Sequence, residues 1–137
     1  MRLIDQVRFL PRRLIADERG WFLKVLDGGE EGLPGRVGEV YLTMAVPGQA
    51  RGNHYHPLCA EWFTIVQGRA LLMVADPVSG ERAEWWLDAA EPQTVFMPAG
   101  LAHVFVNPVE ASDPFLLVAY AANQFDPADT ISYAVWP

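Results

Sequence analysis

Residues 48–68 read Gly48-Gln49-Ala50-Arg51-Gly52-Asn53-His54-Tyr55-His56-Pro57-Leu58-Cys59-Ala60-Glu61-Trp62-Phe63-Thr64-Ile65-Val66-Gln67-Gly68, and residues 98–107 read Pro98-Ala99-Gly100-Leu101-Ala102-His103-Val104-Phe105-Val106-Asn107. These two stretches hold all three histidines of the chain. Residues two apart on a strand share a face, so His54 and His56 direct both imidazoles to one side. Glu61 follows five residues after His56, across a loop, and adds a hard anionic oxygen beside the borderline imidazole nitrogens. A third imidazole then has to arrive from a distant strand, and His103 supplies it. A His-x-His pair alone suits a surface strand or a hydrogen-bonded core equally well. The four residues together, His54, His56, Glu61 and His103, point to one divalent metal ion.

Outward from these stretches, prolines and glycines punctuate the chain at short intervals, and the segments between them are short, β-branched and aromatic. That is the pattern of an all-β sandwich or barrel. Strands are expected near Trp21–Leu26, Val37–Val46, Trp62–Val66, Ala70–Ala75, Arg82–Leu87, Thr94–Met97, His103–Val106 and Phe115–Ala121, with a turn at Asp76-Pro77-Val78-Ser79-Gly80. Asp27 to Gly35 reads as an exposed loop, and the tail from Phe125 to Pro137 has the aromatics to pack down on the barrel. No repeat or linker divides the chain, so residues 1–137 read as a single domain.

At 137 residues and 51% apolar composition, the chain can bury a core without a structural staple, so a metal is read as functional. The net charge of −7, with ten scattered Lys and Arg and no basic run, excludes a nucleic-acid surface. One cysteine, Cys59, excludes an intrachain disulfide and fits a reducing, cytoplasmic compartment. Cys59 reads as a small half-buried loop residue ahead of a fifth ligand or redox thiol. The start, Met1 to Val7, breaks its apolar residues with charges too early for a signal peptide, and no apolar run is long enough for a membrane span.

The two histidine stretches, G-x5-H-x-H-x4-E-x6-G and P-x-G-x2-H-x3-N, resemble the two motifs of the cupins. The second lacks the glycine usual six residues before its proline, where this chain has Pro92. The resemblance implies a single-domain cupin, a double-stranded antiparallel β-helix or jelly-roll barrel. Within the cupins, Arg51 to His56 and the late Asn123-Gln124-Phe125-Asp126-Pro127 resemble sugar-nucleotide enzymes. The R-G-N-H-x-H-x4-E pattern, the P-x-G-x-x-H segment and the F-x-P are similar to the C-terminal cupin domain of capsular polysaccharide reductase-epimerases. Those enzymes act on UDP-linked 4-keto-6-deoxy-N-acetylhexosamines, and their cupin half carries zinc, so the resemblance implies zinc ahead of manganese, iron or nickel; here the cupin would be expected to stand without the reductase partner. Asp17-Glu18-Arg19-Gly20-Trp21-Phe22 resembles the opening of the dTDP-4-dehydrorhamnose 3,5-epimerases. That family implies phosphate contacts by Arg19 and Arg51 and a general base at His54. This chain departs from it where His56 replaces a glutamine and where Phe125 and Asp126 stand for paired tyrosines. The R-G-x-H-x-H segment and Tyr41 also resemble the sugar 3,4-ketoisomerases.

These resemblances imply an isomerase that epimerises a nucleotide-linked 4-keto-6-deoxy sugar with a metal's help, in surface polysaccharide or deoxysugar biosynthesis. Tyr41, Lys24 (the chain's only lysine), a metal-bound hydroxide and His54 stay open as the base. Arg19 and Arg51 are the phosphate candidates because a guanidinium grips a diphosphate bidentately, and Phe22 and Asn53 join them as substrate-binding residues. Trp62, Trp85, Trp86 and Phe105 are candidates to stack on a base, though aromatics on barrel strands are more often core. A homodimer is implied by relatives that exchange or pair N-terminal strands, with the apolar positions of Leu3 to Leu14 available for it. The alternatives are keto transfer between carbons four and three, a non-catalytic sugar-binding cupin, and an iron-dependent dioxygenase using the same four ligands.

Overall fold

The computed structural model describes residues 2–18, 20–36 and 38–137, and for residues 20–22 it describes the backbone. Among the described residues the strands are β1 (Arg8–Pro11), β2 (Leu14–Asp17), β3 (Gly20–Leu23), β4 (Glu39–Ala45), β5 (Ala50–Tyr55) and β6 (Glu61–Gln67). They continue as β7 (Arg69–Ala75), β8 (Arg82–Asp88), β9 (Gln93–Met97), β10 (Ala102–Val106), β11 (Phe115–Ala121) and β12 (Ile131–Ser132). Two five-stranded antiparallel sheets form, ordered β1-β9-β6-β11-β4 and β12-β5-β10-β7-β8, and β2 and β3 pair by themselves. This is the cupin jelly roll.

Alternation explains the core. On β11 every second residue, Phe115, Leu117, Ala119 and Ala121, is buried, and the first three join Phe63 and Ile65 of β6 and Leu72, Val74 and Phe105 of the facing sheet in one core. Phe63 and Phe105 pack edge to face with ring centroids 4.9 Å apart, which ties the two sheets together. Truncating a buried ring of this kind costs about 3–5 kcal/mol. Gly68 makes the tight turn from β6 to β7 at φ 78°, and a Cβ there would stand 2.7 Å from the carbonyl oxygen of Pro114. The Asp76 turn forms as expected, its carboxylate accepting from the Val78 N–H at 2.9 Å.

Four strands go beyond the sequence reading. β1, β2 and β12 are too short to show a period, and β5 is interrupted by Gly52 and Asn53 at positive φ. Loop 27–35 is not simply exposed. The carboxylate of Glu30 is 3% exposed and pairs with Arg12 at 2.9 Å, holding the loop against the outer face of the first sheet. Of the N-terminal stretch, Ile4 enters this chain's own core, Leu3, Val7 and Phe9 pack against it, and β1 pairs with β9, leaving Leu14 exposed. The tail covers the outer face of the second sheet, with Val135 1% exposed and Tyr133 and Trp136 packed beside it.

Candidate metal centre and substrate cleft

β5 and β10 run antiparallel, and between them the register slips by one residue. His103 lies opposite His54, but Val104 lies opposite Gly52, so Asn53 is the extra residue of a β-bulge. Gly52 (φ 119°) and Asn53 (φ 60°) carry the distortion, and a Cβ on Gly52 would lie 2.6 Å from the carbonyl oxygen of His103. Asparagine is among the few residues with a side chain that tolerate this left-handed region. Without the bulge Asn53 would stand opposite His103, and His54 would face outward. With it, Arg51 (opposite Phe105) and His54 share the inner face although they are three residues apart.

The imidazoles of His54, His56 and His103 converge, each offering a nitrogen within 4.8 Å of the others. Ring centroids are 4.8 Å apart for His54 and His56 and 5.1 Å for His54 and His103. Two of the rings are oriented from behind. His56 Nδ1 donates to the backbone carbonyl of Asp129 at 3.0 Å, and His103 Nδ1 donates to that of Leu101 at 3.1 Å. That fixes the tautomer and points each Nε2 lone pair at the centre, as metal-ligating histidines are held. Among the described residues the His54 ring has no such bond.

Glu61 meets them from β6, 3% exposed. Its Oε2 accepts from the Tyr41 hydroxyl at 2.6 Å, while Oε1 lies 3.1 Å from His56 Nε2 and 3.7 Å from His103 Nε2. The 3.1 Å contact is within hydrogen-bond reach. Yet with the His56 proton committed at Nδ1, Nε2 brings a lone pair, and Glu61 Oε1 is left buried without a donor. Either a proton on His56 or a cation at the convergence resolves this. The donor set, imidazole nitrogens with one carboxylate oxygen, therefore fits a divalent ion.

The electrostatics agree. Burial, and then the neighbouring His103 and His56, push His54 down to about 4, so its ring is neutral at pH 7. Burial likewise depresses His103, against the pull of Glu61. Burial opposes the charge on Glu61, but His56, His103 and Tyr41 together hold its carboxyl below the usual range. Burial opposes a charge on His56 too, and Glu61 outweighs it, so His56 is raised. Tyr41 is pushed far upward by burial and then by the Glu61 carboxylate. It is thereby held as a hydroxyl that donates to Glu61 Oε2.

Two cavities of about 290 and 340 Å³ flank the cluster, and Tyr41 and His54 line both. The first is lined by Glu39, Glu61, Phe125, Asp126 and Asp129, the second by Thr43, Arg51, Phe63, His103 and Phe105. The first is thus acidic, and Arg51 brings a guanidinium to the second. Arg51 is exposed there, its Nε donating to the Met44 carbonyl at 2.6 Å.

The sequence profile of the polysaccharide biosynthesis C-terminal domain matches residues 15–133. The chain belongs to that family. It is 25% identical over 119 residues to the UDP-2-acetamido-2,6-beta-L-arabino-hexul-4-ose reductase of Pseudomonas aeruginosa, covering 87% of this chain and 30% of that protein. The chain thus spans about a third of this curated relative. Among solved structures, a dTDP sugar isomerase from Desulfovibrio desulfuricans superposes with a TM-score of 0.84 at 18% identity, covering 96% of this chain and 85% of that one. ChmJ, a 3'-monoepimerase from Streptomyces bikiniensis in complex with dTDP-quinovose, gives 0.79 at 24% identity, covering 92% and 68%. At these identities the likeness is one of fold.

In this family member the structure gathers His54, His56, Glu61, His103, Tyr41 and Arg51, and it sets other expected residues apart. Lys24 is exposed and lines neither cavity, because the chain after β3 runs over the outer face of the first sheet, where Thr94 Oγ1 donates to the Val25 carbonyl. Asn53 turns away from the cleft, its amide spent on the C-terminal tail. Arg19 lies outside the described residues, as does the side chain of Phe22. Trp62 is core, Trp85 packs on Phe9, and exposed Trp86 lies under Arg69; of the stacking candidates, Phe105 alone lines a cavity. Cys59 lines the first cavity, its thiol pushed up by burial, and it is not among the side chains whose donor atoms converge. Asp129 and Leu101 were missed because they act through carbonyl oxygens, which every residue has. No helix is long and apolar enough to cross a membrane.

Proposed function

We propose that the chain epimerises a nucleotide-linked 4-keto-6-deoxy sugar, by a metal-dependent proton abstraction next to the ketone, in surface polysaccharide or deoxysugar biosynthesis. The observation that carries this reading is the buried Glu61 oxygen facing two oriented imidazoles at the junction of two cavities. The names of the relatives, a UDP-sugar reductase, a dTDP sugar isomerase and a 3'-monoepimerase, support the substrate class.

His56, Glu61 and His103 are the anchored ligands, and His54 completes the set. A divalent ion held there supplies Lewis-acid polarisation of the sugar's carbonyl oxygen. As a ligand His54 could not also be the base; where the ion is held by His56, Glu61 and His103 alone, His54, neutral and without a bond behind its ring, is the imidazole free to turn toward a substrate proton, since Tyr41 is held as a hydroxyl and Lys24 stands elsewhere. Tyr41 keeps Glu61 in place through its short hydrogen bond. Arg51 holds the diphosphate at the mouth of the second cavity, away from the carboxylates of the first. Zinc suits this donor set best. In this reading the protein is a cytoplasmic homodimer. Val40, Leu42, Met44 and Val46 form an exposed apolar row along edge strand β4 and beyond it, a surface that a second copy would cover. Light scattering on the eluting protein should give twice the 15.3 kDa chain mass, and a monomer would remove this part of the reading.

The test is solvent exchange. Zinc-loaded protein is given UDP- and dTDP-linked 4-keto-6-deoxyhexoses in deuterated water, with NMR at carbons three and five. Deuterium entering with inversion supports the epimerase and names its carbon. Keto transfer would establish the isomerase instead, and no exchange on any substrate would sink the reading. Arg51→Ala should raise KM about 10- to 100-fold with kcat nearly unchanged, since charge-assisted hydrogen bonds to a diphosphate contribute about 1.5–3 kcal/mol. Arg51→Lys should fall between, because a point charge cannot reproduce the bidentate grip. An equal loss in kcat would place Arg51 at the reacting centre.

A further inference from the structure

Both polar atoms of the Asn53 side chain, and its backbone carbonyl, are bonded to the C-terminal tail. Its Nδ2 donates to the Trp136 carbonyl at 2.8 Å, and its Oδ1 accepts from the N–H groups of Val135 at 3.1 Å and Trp136 at 3.0 Å. Its own carbonyl accepts from the Tyr133 N–H at 2.9 Å. The tail so fastened is the one that orients the His56 imidazole and pairs with the strand carrying His54. β12 pairs with β5, placing Ser132 opposite His54 and Ile131 opposite Tyr55. Just upstream, the Asp129 carbonyl takes the His56 Nδ1 proton, Thr130 Oγ1 lies 3.3 Å from the same nitrogen, and the Asp129 carboxylate accepts from the Leu58 N–H at 2.9 Å. Asn53 is also the extra residue of the bulge that turns His54 inward. One side chain thus joins the backbone irregularity that aims one imidazole to the strap that orients the next.

We infer that Asn53 is a positioning residue of the metal centre, coupling the docking of the tail, residues 126–137, to the grip on the ion. The inference rests on the metal reading above and adds a role that touches neither ion nor substrate. It has a thermodynamic consequence. If the docked tail favours the ion, the ion must favour the docked tail by the same factor. A second fastening acts from the other side, where Arg82 donates through Nη2 to the Val135 carbonyl, and Val135 is buried beneath.

Asn53→Gly keeps the left-handed backbone and deletes the amide. Asn53→Asp keeps the acceptor for the two N–H groups, loses the donor and sets an anionic oxygen against the Trp136 carbonyl. Arg82→Ala loosens the strap without touching the bulge, and serves if Asn53→Gly does not fold. The measurements are Zn²⁺ affinity by competition with a chromophoric chelator, the d–d absorption of the Co²⁺-substituted protein, and amide hydrogen exchange at Tyr133, Val135 and Trp136. Asn53→Gly should bind Zn²⁺ about 10- to 100-fold more weakly, the range for losing a partner behind a metal ligand, with an altered Co²⁺ spectrum and faster tail exchange. Asn53→Asp should recover part of the affinity through the two N–H bonds it keeps, Arg82→Ala should weaken it, and Zn²⁺ should slow tail exchange in the unsubstituted protein. Unchanged affinity and spectrum in Asn53→Gly, or in Arg82→Ala where that variant stands in, would overturn the inference alone. An unsubstituted protein that takes up no Zn²⁺ would overturn the metal reading and this inference together.

Discussion

His103→Gln is expected to bring bound metal from one ion per chain to near zero and to slow substrate deuterium exchange by about 10³-fold. His103 is the most enclosed of the three imidazoles, 3% exposed, between His54 and Phe63. Its Nδ1 is fixed on the Leu101 carbonyl, so its Nε2 cannot be replaced by a neighbour turning into its place. Polarisation of a carbonyl by a metal contributes several kcal/mol to the transition state, and each 1.36 kcal/mol is a factor of ten in rate. Glutamine roughly keeps the volume, so the loss is one of coordination more than packing, and a thermal melt of the variant checks that. Metal content by plasma emission after dialysis and single-turnover exchange by NMR read the two effects separately. Full exchange in a protein carrying no metal would reverse the mechanism and place the chain with metal-free epimerases in which the imidazole of His54 acts alone.

Glu61→Gln should reorder stability and affinity in opposite directions. In metal-stripped protein the variant should be more stable than the parent by about 1–3 kcal/mol, the cost of a buried group lacking its partner. The carboxylate is 3% exposed, and Oε1 has no donor. A glutamine oxygen still accepts from Tyr41, and the amide N–H then donates to the His56 Nε2 lone pair that faces it at 3.1 Å. With Zn²⁺ present the order should invert, because the anionic ligand is gone and ion binding no longer stabilises the fold as strongly. Urea titrations of both proteins, stripped and loaded, give the four free energies. If Glu61→Gln is the less stable protein in both states, the carboxylate is satisfied by a proton on His56 and the cation is not needed to explain it.

Much of the fold and the ligand set was legible because the signals are local. His54 and His56 share a face by the two-residue strand period, and the types and spacing of His, Glu, Gly and Pro around them resemble cupin motifs that carry both chemistry and topology. The turn at Asp76 rests on its own side chain. The short strands β1, β2 and β12 left no period to read, and the loop holding Glu30 looked exposed because its buried ion pair joins it to Arg12, far back in the chain. Asn53 and Lys24, plausible beside the substrate from their place in the motif or their chemistry, stand elsewhere.

The sequence by itself determined which donor atoms the protein owns and that they belong to a β-barrel of this family, since residue identity and short-range alternation are properties of a few neighbouring positions. Only the tertiary structure decided how those atoms are aimed. The one-residue slip between β5 and β10 brings Arg51 and His54 to the same face, which strict alternation would forbid. The carbonyls of Asp129 and Leu101 set the tautomers, burial beside Glu61 keeps Tyr41 protonated, and the tail claims Asn53. Each of these depends on register and on backbone acceptors from remote segments. A carbonyl is the same on every residue, so its use as a partner leaves no mark in the sequence.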